Sequence, residues 1–202
     1  MTTRILLATA IASTLAATVA GCASSPSMSM PVSTPMSMPM SMPMSMPMFS
    51  QAALPDAVKV PAGFAVAMET VGVGEITYEC RAKAAAAGEF EWVFVGPKAV
   101  LNDRSGTTVG SYYGPPATWQ AADGSKITGT QLAVASASAG NIPLQLVKAN
   151  PATGAGAMMG ISHIQRVATQ GGVAPAMACA AANMGQKQVV SYQADYIFYK
   201  AI

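Results

Sequence analysis

Along residues 51 to 202, apolar and polar side chains alternate in short runs broken by Gly, Pro, Asn and Asp, and no stretch carries a sustained helical period. Alternation at period two predicts strands over 64–73, 76–81, 90–95, 107–113, 126–132, 144–149, 163–169, 188–192 and 196–200. Asn102-Asp103-Arg104-Ser105-Gly106 and Ala122-Asp123-Gly124-Ser125 read as hairpin turns, because Asp, Asn and Gly take positive φ at low cost. The stretch 82–87 is alanine-rich, yet it lies between two strand-like runs and is read as a loop or a single turn. The fold class expected is all-β and mainly antiparallel, a single sandwich or barrel-like domain over 51–202, preceded by a disordered N-terminal tether. Its 152 residues suffice for a real core.

The first 50 residues follow a different pattern. Arg4 precedes an uncharged apolar stretch from Ile5 to Ala20, and Val19-Ala20-Gly21-Cys22 follows the layout of a lipobox. The stretch has 16 residues, whereas a spanning helix needs about 20. Residues 1–21 are therefore read as a lipoprotein signal peptide, and Cys22 as the site of lipidation, anchoring the chain to an envelope membrane. The alternative is an ordinary signal peptide that leaves Cys22 a free thiol. Ala23, where an inner-membrane retention signal would place Asp, points to the outer membrane.

Residues 22–50 form the tether, in which Met-Ser-Met-Pro recurs at 36–39, 40–43 and 44–47. Proline every fourth residue removes backbone donors and disfavours helix. Met36, Met38, Met40, Met42, Met44, Met46 and Met48 place thioether sulfurs at close spacing, and thioether is a soft ligand for Cu(I). The tract is thus at once a plain spacer, a candidate copper site and a candidate oxidant sink, since methionine oxidises reversibly to its sulfoxide.

Charge selects no partner. Loss of residues 1–21 removes Arg4 and leaves ten basic against nine acidic side chains, with no basic stripe to neutralise nucleic-acid phosphates. Cys80 and Cys179 are the two cysteines of the folded region. Export to an oxidising compartment makes a disulfide the default, with two separate buried thiols as the alternative.

Tyr78-Glu79-Cys80, Trp92-Val93-Phe94, Tyr113-Gly114-Pro115 leading to Trp119, Asp123-Gly124-Ser125, Ile142-Pro143, Ile164-Gln165-Arg166-Val167, Gly171-Gly172-Val173-Ala174-Pro175 before Cys179, and Ala194-Asp195-Tyr196 with Phe198-Tyr199 occur in that order. Together they resemble a domain-of-unknown-function family of secreted bacterial and fungal proteins, over about residues 57 to 201. The resemblance implies a β-rich extracytoplasmic domain with paired cysteines, and no activity. His163 stands where that family is expected to carry an aromatic residue, and Leu144 where it is expected to carry tryptophan.

Catalytic patterns are sparse. His163 is the single histidine, so a multi-histidine metal site is excluded and any Ser-His-Asp triad would centre on it. Strand alternation places it on one face with Ile161, Gln165 and Val167. No Gly-x-Ser-x-Gly elbow occurs, and Gly154, Gly156 and Gly160 mimic a dinucleotide loop with the third glycine one residue late. The strongest cluster is Arg166 with Asp195, accompanied by Tyr112, Trp119, Tyr192 and Tyr196, a guanidinium with aromatic faces suited to an anionic or sugar-like ligand. The competing reading is a structural Arg-Asp pair beneath core aromatics. The leading functional expectation is a non-enzymatic envelope lipoprotein that binds a small ligand, a wall component or another envelope protein. Copper(I) or oxidant handling by the methionine tract is the alternative, and a hydrolase using His163 comes third.

Overall fold

The computed structural model describes residues 49–202; Cys22 and the methionines at 36 to 48, with the lipid anchor and copper site assigned to them, lie outside the described residues. Eight strands follow one another: β1 (Phe64–Ala82), β2 (Phe90–Asn102), β3 (Thr108–Tyr113), β4 (Thr118–Ala121), β5 (Lys126–Ala135), β6 (Leu144–Ala149), β7 (Ile161–Gly171) and β8 (Lys187–Ala201). Each pairs antiparallel with the next, and β8 pairs with β1, closing a barrel. Of sandwich and barrel, the chain takes the barrel, which leaves no sheet edge unpaired.

Alternation along the strands builds its interior. In β8, Tyr192, Ala194, Tyr196 and Phe198 are buried with Ile76 and Tyr78 of β1, Leu101 of β2, Tyr112 of β3, Trp119 of β4, Ile127 of β5, Val147 of β6 and Ile164 of β7. An eight-stranded barrel is just wide enough for such side chains to fill. Gly72 in β1 leaves room for one of them, since a Cβ there would stand 2.6 Å from the Tyr196 ring.

A second, smaller core lies outside the barrel. Leu146, Val167, Ile197 and Tyr199 face outward and are covered by Val58 and Val60, with Phe49 and Leu54 packed alongside. Residues 49–62 thus form a strap, which includes a 3-10 turn at Asp56–Val58. Its polar groups are matched to the barrel. The Gln51 amide accepts from Val60 N at 2.8 Å and donates to Val60 O at 2.9 Å. Gln165, fully buried, donates to Val58 O at 2.6 Å and accepts from the Tyr199 hydroxyl at 2.6 Å.

Several expected boundaries shift. The runs 64–73 and 76–81 form one strand, as do 188–192 and 196–200. β2 continues through Gly96 and Pro97 to Asn102, past a bulge that leaves Val95 without a partner; bulges are among the few places a sheet tolerates proline. β4, four residues long, is too short to show a period and was not expected. The two predicted turns form as read. Asp103 accepts from Ser105 N and Thr107 N, both at 2.9 Å, and Asp123 accepts from Ser125 N at 2.8 Å. Ala82 closes β1, and residues 83–87 give a loop, as expected. His163 does not share a face with Ile161, because a bulge between them turns Ile161 into the barrel core while His163 stays outside with Gln165 and Val167.

Candidate functional site

The barrel end bearing the β3–β4 turn holds a cavity of about 310 Å³, lined by inward-facing side chains from β2 to β7. Arg166 enters it from β7, where it stands directly across from Tyr196 of β8. Its guanidinium is steered by a backbone oxygen, with Nε donating to Pro143 O at 3.2 Å and Nη2 at 2.9 Å. Pro143 is placed there by the β5–β6 connection. Asn141 bridges to Gly172, Ile142 N donates to Gly171 O at 2.9 Å, and the Ile142 side chain is buried in the core.

Aromatic rings form the floor. Tyr112 stacks on Trp119 with centroids 4.7 Å apart and packs against Tyr196 at 5.0 Å. The Tyr192 and Tyr196 hydroxyls meet at 3.2 Å below. Burial raises the pKa of Tyr112, Tyr192 and Tyr196, and the Arg166 charge opposes this in each. These phenols are therefore neutral donors and acceptors at physiological pH. Phe94, exposed, and Pro115 flank the cavity, while Gln131 and Gln145 form an amide pair at 2.6 Å on its far wall.

Of the predicted cluster, Arg166, Tyr112 and Trp119 line the cavity, Tyr196 and Tyr192 lie in the core beneath it, and Asp195 joins neither. Tyr196 and Ala194 point inward, so Asp195 between them points out. Its carboxylate accepts from Arg104 Nη1 at 2.7 Å, and Arg104 also pairs with Glu69 at 2.9 Å. The expected Arg166–Asp195 pair is corrected accordingly: β7 and β8 are neighbours, but the two side chains leave opposite faces of the sheet. Among the described residues, no carboxylate comes within ion-pair distance of Arg166, whereas Arg81 and Arg104 are both paired.

The sequence reading missed Phe94, Gln131, Gln145 and the Pro143 carbonyl. Gln131 carried a signal, two positions along the alternating run from Gly129 and four from Ile127; Gln145 carried none, because its neighbours Leu144 and Leu146 read as the inward face but pack outside under the strap. The carbonyl carried none, because a backbone oxygen becomes a ligand of Arg166 only through tertiary folding.

The same end of the barrel carries the long β7–β8 connection. Cys80 of β1 and Cys179 of that connection form a disulfide, with Cα atoms 5.5 Å apart. Tyr78 donates its hydroxyl to Gly172 O at 2.8 Å, and Trp92 Nε1 donates to Met177 O at 2.8 Å, so the connection is fastened at three points.

His163 lies elsewhere, on the outer surface. Its ring packs edge-on against Phe64 at 4.5 Å, and Nδ1 lies 3.1 Å from Ser162 Oγ. Partial burial lowers its pKa, with the Lys148 charge acting in the same direction. Ser162 Oγ donates to Tyr199 O, and no carboxylate orients the ring. Gly154, Gly156 and Gly160 lie in the β6–β7 connection without a helix after them. Among the described residues, no three His, Cys, Asp or Glu side chains are placed to hold a metal ion.

Chemically, the cavity offers one cationic fork, neutral phenols, amides and flat apolar walls. Among the described residues, its lining contains no carboxylate, histidine, cysteine or serine. No curated protein and no solved structure matches the chain. One family model does match, over residues 61–200, and the chain accordingly belongs to the DUF3455 family, whose description is protein of unknown function.

Proposed function

We propose that the chain is an envelope lipoprotein whose β-barrel is a non-enzymatic binding module, taking a small anionic or sugar-like ligand at its mouth. The observation that carries this reading is Arg166, a half-buried guanidinium that lines the mouth cavity without a carboxylate partner. Arginines in protein interiors are ordinarily paired, and one left free beside aromatic walls is suited to recognition. The apolar leader ending at Cys22 supports the address, and a disulfide is at home in an oxidising compartment.

The entry point of the chain fits display. Phe49 N donates to Glu69, which Arg104 of the β2–β3 turn holds from the other side. The cavity lies at the β3–β4 turn, the opposite end of β3. Phe49, the first described residue, therefore contacts the barrel away from its mouth.

Native mass spectrometry of the full chain, extracted from the envelope in detergent, tests the binding reading. The expected result is a small-molecule adduct that disappears in Arg166→Gln. A full chain that carries no adduct, and acquires none from a cell extract, overturns it. Fractionation tests the anchor: Cys22→Ala should move to the soluble fraction, and a variant that stays with the membrane refutes lipidation.

A further inference from the structure

We propose that the ligand of the mouth cavity is a small monocarboxylate on a flat, apolar body; the inference rests on the mouth being the binding site. The guanidinium of Arg166 has two hydrogen-bonding edges. Its side edge, Nε with Nη2, is committed to Pro143 O. That contact orients the group and leaves the end edge, Nη1 with the second Nη2 proton, uncommitted. Two parallel N–H donors match the two oxygens of a carboxylate, and a pre-oriented fork loses little freedom on binding.

Charge narrows the class. Arg166 is the one ionisable cation in the lining, and no acid offsets it. A single anionic charge is neutralised there, whereas a phosphate dianion would be left half-compensated. A neutral sugar would leave the guanidinium without a counter-charge.

A tryptophan forms part of the same lining. Trp119 lines the cavity at 1% exposure, and its indole N–H has no hydrogen-bond partner among the described residues. Buried indole N–H groups ordinarily find an acceptor. That nitrogen is itself sealed from solvent, so the indole serves here as a wall of the cavity and a reporter of its occupancy. The body of the ligand is set by the walls: Phe94, Tyr112 and Pro115 offer flat apolar surface, and a cavity of about 310 Å³ admits one or two fused rings.

The chain has two tryptophans, Trp92 and Trp119, and Trp92 already donates to Met177 O. Nitrogen-15 NMR of the full chain in detergent therefore gives two indole signals, which Trp92→Phe assigns. The probes are benzoate and naphthoate, each with its uncharged amide, and inorganic phosphate. The carboxylates should move the Trp119 signal and leave Trp92 in place. The amides should bind at least about tenfold more weakly, the range expected for a charge-assisted hydrogen bond. Arg166→Gln should abolish that preference, and Arg166→Lys, which keeps the charge and loses the fork, should retain part of it and covers the case of a misfolded glutamine variant. Equal binding of acid and amide, a Trp119 signal that phosphate moves at lower concentration than benzoate, or a Trp119 signal that no probe moves overturns the carboxylate class. An adduct in native mass spectrometry that depends on Arg166 would still uphold the binding reading in each of those cases.

Discussion

Asp195 and Arg104 are joined by a 2.7 Å ion pair on the outside of the barrel, while Arg166, one strand away, turns inward to the mouth. The outer pair is a clamp between β8, β1 and the β2–β3 turn, and the inner arginine has no carboxylate partner among the described residues.

The clamp is partly exposed and should contribute modestly. Arg104→Ala is expected to cost about 0.5–1 kcal/mol of stability, less at high salt, and to leave ligand binding at the mouth unchanged. Urea denaturation at two salt concentrations measures the first part. A loss of mouth binding would contradict the separation of the two sites.

Gln165 ties the strap to the barrel. Gln165→Leu leaves the Val58 carbonyl and the Tyr199 hydroxyl without their partner, at a cost of roughly 2–3 kcal/mol. The strap should also loosen first. Limited proteolysis is expected to cut between residues 49 and 62 in the variant under conditions where the parent chain resists.

Ala168 sits at φ +48° in the β7 bulge, a conformation that a side chain disfavours. Ala168→Gly should therefore raise stability by about 0.5–1 kcal/mol, the relief of left-handed strain less the greater freedom of glycine when unfolded. A lower midpoint in chemical denaturation would show that the methyl group is needed there.

The Cys80–Cys179 bond spans 99 positions of sequence. In the chain-entropy model a loop of that size is worth up to about 4.7 kcal/mol, so reduction should shift the denaturation midpoint by a large part of the domain's stability. The paired variant Cys80→Ala with Cys179→Ala should match the reduced protein. A midpoint insensitive to reductant would refute the assignment.

Alkaline stability follows from the tyrosines. Burial raises Tyr192, Tyr196 and Tyr199 above the ordinary value of 10.0, Tyr199 to about 12. The fold holds these protons after the unfolded chain has released its own, so the contribution is complete below about pH 10 and is lost as pH climbs through the folded values. Tyrosinate absorbance of the buried phenols should rise only together with unfolding. Smooth titration of all tyrosines near pH 10 in the folded protein would contradict their burial.

The local features were legible from the chain alone. Asp103 and Asp123 announced their turns because a side-chain carboxylate reaches backbone N–H groups two residues on, wherever the turn sits in the fold. Most strands were visible because one face is buried and the other wet. The family motifs, too, are contiguous and need no fold to be seen. Tertiary structure decided what local pattern could not carry. At the end of β8, Ile197 and Tyr199 lie under the strap while Tyr196 and Phe198 fill the barrel, so both faces are apolar and alternation no longer tells inside from outside. That ambiguity is why Asp195 could be matched to Arg166 by residue type and yet leave the opposite face. Closure into a barrel, the uncommitted edge of Arg166 and the cavity around it depend on register between strands distant in sequence, and register is set by packing across the whole sheet.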